Sequence, residues 1–134
     1  MSEVQTIDIR TTTRLEMVDI TALVRAAVKR TGATHGLATV FCPHTTAGLT
    51  IQENADPDVK SDLLAHLARL VPKEAGFRHG EGNSDAHIKS SIIGASTTLL
   101  VDSGKLLLGH WQAIFFCEFD GPRDRRVFVK VVKG

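Results

Sequence analysis

The sequence predicts an α+β fold with a largely antiparallel carboxy-terminal half. Short apolar runs of strand character are interrupted by only a few helical stretches. The runs beyond residue 95 are separated by glycine-containing turns that suit hairpins. Strands and helices do not alternate in the order that a doubly wound parallel sheet needs. A chain of 134 residues with 43% hydrophobic content fits one domain, 1–134, with a core of its own.

"VQTIDIRT" opens as a strand, with Val4, Ile7 and Ile9 as its apolar positions. "DITALVRAAVKRTG" follows as a helix that Asp19 or Thr21 can cap; Lys29 and Arg30 suit its negative end, and Gly32 stops it. "HGLATVFC" and "TAGLTIQ" are rich in Val, Ile, Thr and Phe and read as strands, with a turn or bulge at Pro43 between them. "ADPDVKSDLLAHLARLVP" is the clearest helix. Asp56 caps it, Pro57 takes the first helical position, and Val59, Leu63, Leu67 and Leu70 form an apolar stripe. "SDAHIKSSIIG" is a short helix capped by Asn83 or Ser84 and closed by Gly94. "STTLLVDSGKLLLG" reads as one hairpin and "WQAIFFCEFDGPRDRRVFVKVV" as another. The last strands are apolar on both faces, so helices or a second subunit should cover both sides, and an oligomer is expected.

Several function classes fall away on composition. A net charge of +1 does not suit a nucleic-acid binder, so none is expected as a partner. No apolar run reaches the roughly 18–20 residues that span a bilayer, and "MSEVQTIDIR" lacks a signal-peptide layout. Cys42 and Cys117 lie inside apolar runs and read as buried free thiols. A cytoplasmic protein without membrane contact is expected.

Chemistry concentrates in "RHGEGNSDAHIKSS", Arg78 to Ser91. His79, Glu81, Asp85 and His87 fall within it, where a plain connector would need only the glycines. Imidazole and carboxylate together suit a divalent ion: zinc if histidines dominate, magnesium if carboxylates and water do. His44 is the best outside ligand, which makes His44, His79, His87, Glu81 and Asp85 a candidate metal set. Alternatively, the helix start near Asn83 favours an anion. Arg78, Lys89 and Arg123 can then compensate the acids. Thr45 and Thr46 follow His44 and offer hydroxyls to phosphate oxygens, while Gln112 can present an amide to a ligand. No phosphate-binding loop, nucleophile elbow or dinucleotide fingerprint occurs.

"PHTTAGLTIQENADPDV", "RHGEGNSDAHIKSSIIG" and "GHWQAIFFCEFDGPR", in that order and spacing, resemble the YjbQ family, also labelled secondary thiamine-phosphate synthases. The resemblance covers nearly the whole chain. It implies mostly antiparallel, β-sandwich-like sheets with a few helices, a homotrimer, and a polar cleft near subunit contacts. It also implies site residues His44, Thr45, Thr46, Asn54, His79, Glu81, Asn83, Asp85, His87, Trp111, Gln112 and Arg123. His110 departs from the family's usual Gly-Thr-Trp-Gln. The implied activity joins a pyrimidine-methyl pyrophosphate to a thiazole phosphate, with His44, Asp85 and His87 as catalytic groups. Thr45, Thr46, Asn54, Asn83, Gln112 and Arg123 would hold the small phosphorylated substrate, with Mg2+ or Zn2+ as a possible cofactor. Two other readings stand beside it. One is a metal-dependent hydrolase of a phosphorylated metabolite; the other is a non-catalytic trimer that binds an anionic ligand.

Overall fold

The computed structural model describes residues 3–134. Among these, the chain order is β1 (Gln5–Arg10), β2 (Glu16–Asp19), α1 (Thr21–Arg30), β3 (Gly36–Phe41), β4 (Ala47–Glu53), α2 (Pro57–Leu70) and α3 (Ser84–Ile93). Then come β5 (Ser96–Asp102), β6 (Lys105–Leu106), β7 (Gln112–Glu118) and β8 (Asp124–Lys133). The strands form a five-stranded sheet, β1-β8-β3-β5-β6, and a three-stranded sheet, β2-β7-β4. Every pairing is antiparallel. This is the expected α+β architecture.

Alternation decides which side chains enter the core. Ile7 and Ile9 of β1, Ala38 and Val40 of β3, Leu99 and Val101 of β5, and Val127, Val129 and Val131 of β8 point inward from the large sheet. Leu49, Ile114 and Phe116 meet them from the small sheet, and Ile20, Val24, Ala27 and Val28 place α1 in the same cluster. A second cluster joins Met17, Ala113, Phe115 and Cys117 on the other face of the small sheet to Leu67 of α2 and Ala86 of α3. Strand β7 is therefore buried on both faces, as its unbroken apolar run predicts.

Strand β8 is not. Val132 is exposed and Phe128 only partly covered, while Arg126 and Lys130 face out beside them. The second expected hairpin is also absent. β7 pairs with β2 and β4, whereas β8 pairs with β1 and β3, so residues 119–123 carry the chain from one sheet to the other. Two backbone bonds fix this crossing against the β1–β2 connection: Thr11 N–H to the Arg123 carbonyl at 3.0 Å and Gly121 N–H to the Arg14 carbonyl at 3.1 Å. Val4 is exposed and precedes the first strand. Strand β2, only four residues with charges at both ends, carries too little alternation to be read from sequence.

The helix boundaries follow from local chemistry. Asp56 accepts the Asp58 N–H at 2.9 Å and Pro57 begins α2. At α1, Asp19 accepts the Thr21 N–H at 2.9 Å, and the Thr21 hydroxyl accepts the N–H of Ile114 at 2.8 Å. Asn83 occupies the position before α3 without capping it by its side chain.

Six connections change sheet, and three of them, β1 to β2, β3 to β4 and β7 to β8, do so without an intervening helix and fall at the same end. The register places them there. Arg10 opposes Asp124, while Ala47 and Glu16 both oppose Glu118. Strands that switch sheets form corners there, and those corners frame the site described below. The end of α3 presses on β4: Leu49 N–H bonds the Gly94 carbonyl at 3.0 Å, and a Cβ on Gly48 would lie 2.6 Å from that oxygen. Gly48→Ala is expected to cost about 1–3 kcal/mol in urea unfolding. Gly80→Ala, with nothing within 4 Å of the added carbon, should stay within about 0.5 kcal/mol of the parent.

Candidate functional site

At the corner end lies a hollow of about 420 Å³. The β3–β4 corner contributes Pro43, His44, Thr45 and Thr46 to its wall. The loop into α3 and that helix's first turn contribute His79, Glu81, Asn83 and His87, and the β7–β8 crossing contributes Asp120, Arg123 and Arg125. The imidazoles at 44, 79 and 87 thus share one cavity within a single chain.

Beneath the wall lie two ion networks. Glu118 is fully buried; it accepts the Thr11 hydroxyl at 2.7 Å, Arg125 Nε at 2.8 Å, and the backbone N–H groups of Phe119 and Asp120 at 3.0 and 3.1 Å. Arg125 Nη2 donates onward to the Thr46 hydroxyl oxygen at 2.8 Å. Burial alone would push the Glu118 carboxyl up, but the hydrogen bonds from Arg125, Thr11 and Asp120 and the Arg125 charge outweigh it and hold it below its ordinary value. Asp85 takes a two-pronged bond from Arg14, at 3.0 and 2.9 Å, and a third from Lys89 at 2.6 Å. Burial opposes ionisation of Asp85 too, and again the two cations win. Lys89 lies four residues on along α3 and is itself 1% exposed, so this pair stands inside the protein.

Asp120 links the lower networks to the wall. It accepts Asn83 Nδ2 at 2.8 Å and Arg123 Nη2 at 2.9 Å, with Arg14 Nε 3.9 Å away. Burial would raise its carboxyl, but these partners keep it low. Among the described residues, Asn83 Oδ1 is the one buried side-chain polar atom without a partner.

His44 is anchored through Nε2, which lies 3.1 Å from both the carbonyl oxygen and the amide nitrogen of Arg126. Burial, and then the Arg125 charge, lower its proton affinity, so it stays neutral below its ordinary 6.5. Nδ1 remains as the ring nitrogen for chemistry. The rings of His79 and His87 meet edge to face with centroids 5.4 Å apart.

Not every expected residue comes to the wall. Asp85 is consumed by Arg14 and Lys89 and leaves no face for a metal or substrate, so the catalytic and metal roles expected of it do not fit its surroundings. The five-residue metal set is likewise not assembled: among the described residues no three His, Cys, Asp or Glu side chains group closely enough to hold an ion. Thr46 is buried and its oxygen accepts from Arg125, so it positions that guanidinium instead of lying open to a phosphate. Asn54 and Gln112 sit at the opposite end of the small sheet, about 20 Å away along seven-residue strands. There Asn54 Nδ2 donates to Asp19 at 3.3 Å, and Gln112 Oε1 accepts the Gly109 N–H at 2.8 Å. Trp111 is exposed at the same end. The thiols are inert: burial raises Cys42 and pushes Cys117 up to about 12.

The sequence reading missed Arg14, Glu118, Asp120 and Arg125. For two of them a signal existed. Glu118 has the parity of inward-facing Ile114 and Phe116, and Arg125 that of Val127, Val129 and Val131. A charge on the core face of each neighbouring segment points to a buried pair.

With this geometry in hand, likeness to known proteins is informative. Residues 5–134 match the family described as UPF0047 protein YjbQ-like. The chain belongs to that family. UPF0047 protein YugU of Bacillus subtilis is 54% identical over 129 residues, covering 96% of this chain and 98% of its own length. UPF0047 protein MJ1081 of Methanocaldococcus jannaschii is 53% identical over 92% of this chain and 90% of its own. A YjbQ/UPF0047 crystal structure from Clostridium acetobutylicum superposes with a TM-score of 0.94 at 52% identity, covering 96% of this chain and 99% of that one. No helix in the described part of this UPF0047 chain is long and apolar enough to cross a membrane.

The buried network generates a prediction. Asp85→Asn leaves Lys89 and Arg14 without their anion, and should cost about 3–5 kcal/mol in urea unfolding. Asp85 and Glu118 are both held below their ordinary 3.8 and 4.5. Their stabilisation is therefore complete above those values and lost as pH falls through the lower folded ones. On acidification, Asp85→Asn should lose stability less steeply than the parent.

Proposed function

We propose that this UPF0047 protein is a cytoplasmic small-molecule enzyme of the secondary thiamine-phosphate synthase kind, acting on a phosphorylated substrate at the corner cavity and working as a homotrimer. The observation that carries the reading is the meeting of three imidazoles and Arg123 on one hollow. In the reaction a pyrophosphate leaves a methylene carbon as a thiazole nitrogen attacks it. The leaving group needs directed positive charge more than a proton. Arg123 offers a planar guanidinium, and Asp120 holds it by one edge only. Buried Arg125 adds a fixed charge behind the wall.

Charge nearly cancels around the hollow, with Glu81 and Asp120 against Arg123 and Arg125. Affinity for an anion then rests on aimed donors: guanidinium, the Thr45 hydroxyl, imidazole N–H groups and the α3 start. Neutral His44 can take or hold a proton at Nδ1, and His87 can hold a second phosphate. Because Asp85 is withdrawn, no step here is assigned to a resident metal.

Purified protein supplied with the two precursors should form thiamine phosphate. His44→Ala and His87→Ala should each lower the rate about 100-fold or more, and Arg123→Gln should raise KM for the pyrophosphate. Since His44 is neutral to below 6.5, the acid limb of the parent's rate profile should lie below that pH and vanish in His44→Ala. A rate untouched by all three changes sinks the proposal.

Support for assembly comes from the outer face of the large sheet. Leu100, Leu37 and Val132 form one cross-strand row, and Phe41 and Phe128 form another beyond the Thr98–Thr39–Lys130 row. Leu37, Leu100 and Val132 are each about half exposed, an apolar strip of the kind a partner covers. Light scattering should give three times the 14.5 kDa chain mass, and Leu37→Lys should reduce it. A monomeric parent would remove this part of the reading.

A further inference from the structure

Away from the corner end, a hollow of about 290 Å³ opens between α1 and the β5–β6 hairpin, lined by Arg25, Val28, Lys29, Gly104, Lys105 and Leu106. It lies at the other end of the large sheet. The β3–β5 ladder runs from Phe41↔Ser96 on the corner side to Gly36↔Val101 here, about 17 Å along the strand. The reaction proposed for the corner cavity makes no use of it. We infer that this hollow is a docking groove for an extended acidic peptide segment of a partner protein, which adds as a strand along the free edge of β6.

The edge itself invites a strand. β6 ends the large sheet and pairs with β5 alone. Leu107 N–H bonds the Leu100 carbonyl at 2.9 Å, so by alternation the N–H and C=O of Leu106 turn away from β5. Among the described residues no other main-chain group bonds them. Leu106 is only 8% exposed, so these groups have little water to satisfy them, and an added strand supplies an acceptor and a donor together.

Charge then selects the kind of strand. Arg25 and Lys29 stand one turn apart on one face of α1, and Lys105 lies on the hairpin wall; all three are exposed. No carboxylate lines the hollow, and among the described residues none of the three takes part in an ion pair. Like charges four residues apart on a helix repel one another, and acidic side chains relieve that repulsion while steering the partner in. Between the cations, Val28 and Leu106 form an apolar floor on which a small side chain can rest. A compact inorganic anion would use the charges but neither the floor nor the edge.

Fluorescence anisotropy with the intact protein and a labelled Glu-Val-Glu-Val-Glu peptide tests this. The acidic peptide should bind at least about tenfold more tightly than its lysine counterpart, from exposed ion pairs formed in place of repulsions. Of two acidic peptides N-methylated on alternate residues, one should lose binding and the other keep it, because only every second residue of an added strand bonds Leu106. The double variant Arg25→Glu/Lys29→Glu should remove the preference for acid, whereas Arg123→Gln in the corner cavity should leave the peptide Kd unchanged. Equal binding of the two methylated peptides, or displacement by an equal concentration of inorganic triphosphate, makes the hollow an anion site only and overturns the strand. A preference that survives the double variant, or is lost in Arg123→Gln, places the peptide elsewhere and overturns the groove. So does the absence of binding at millimolar concentration.

Discussion

The Glu118–Arg125 pair holds the rest of the site in place. Glu118 ends β7 in the small sheet and Arg125 is the second residue of β8 in the large one, so their bond spans the two layers where the chain crosses between them. Thr11, just past β1, and Thr46, just before β4, complete the knot. The three sheet-switching corners at this end are thereby tied, directly or through Arg125, to one carboxylate. Taking two charges out of water costs several kcal/mol per ion, and only good geometry with every remaining group satisfied recovers it. Glu118 meets that condition with donors from four residues. An apolar pair of equal volume could fill the same space but could not dictate where Thr46 and the Asp120 backbone stand.

The second network extends this logic toward the cavity. Lys89 and Arg14 neutralise Asp85, Arg14 approaches Asp120, and Asp120 holds Asn83 and Arg123 at the wall. All but the 3.9 Å approach of Arg14 to Asp120 are charge-assisted hydrogen bonds with defined direction. Of the groups on the wall, Asn83 and Arg123 are held by the mostly buried Asp120. His44 follows the same plan through the Arg126 backbone. A cavity built this way is pre-organised, and little side-chain entropy remains to be lost when a ligand arrives.

Burial also explains why residue types and roles separated. Acids and histidines within ten residues read alike in one dimension, yet α3 turns them to different sides. Asp85 faces inward to Lys89, one turn further on, while His87 faces the hollow. The unpartnered Oδ1 of Asn83 is the exception in an otherwise satisfied interior, and such groups concentrate where function demands them.

Much of the fold was legible because local physics decides it. The Asp56-Pro57 start of α2, the glycine after α3, and the alternation of β1 follow from capping, backbone freedom and a two-residue period. So did the meeting of His44, His79 and His87, announced by three imidazoles beside turn residues and by motifs shared with a known family. Sheet membership was not legible. "IFFCEFDGPRDRRVFV" satisfies a hairpin as well as a crossing, and only the rest of the chain, pairing β7 with β2 and β4, selects the crossing. Nor was the fate of Asp85, Thr46 or Asn54, since each depends on a partner tens of residues away. Periodicity and caps are properties of a segment and travel with the sequence. Which charge meets which is a property of packing, and only the folded chain settles it.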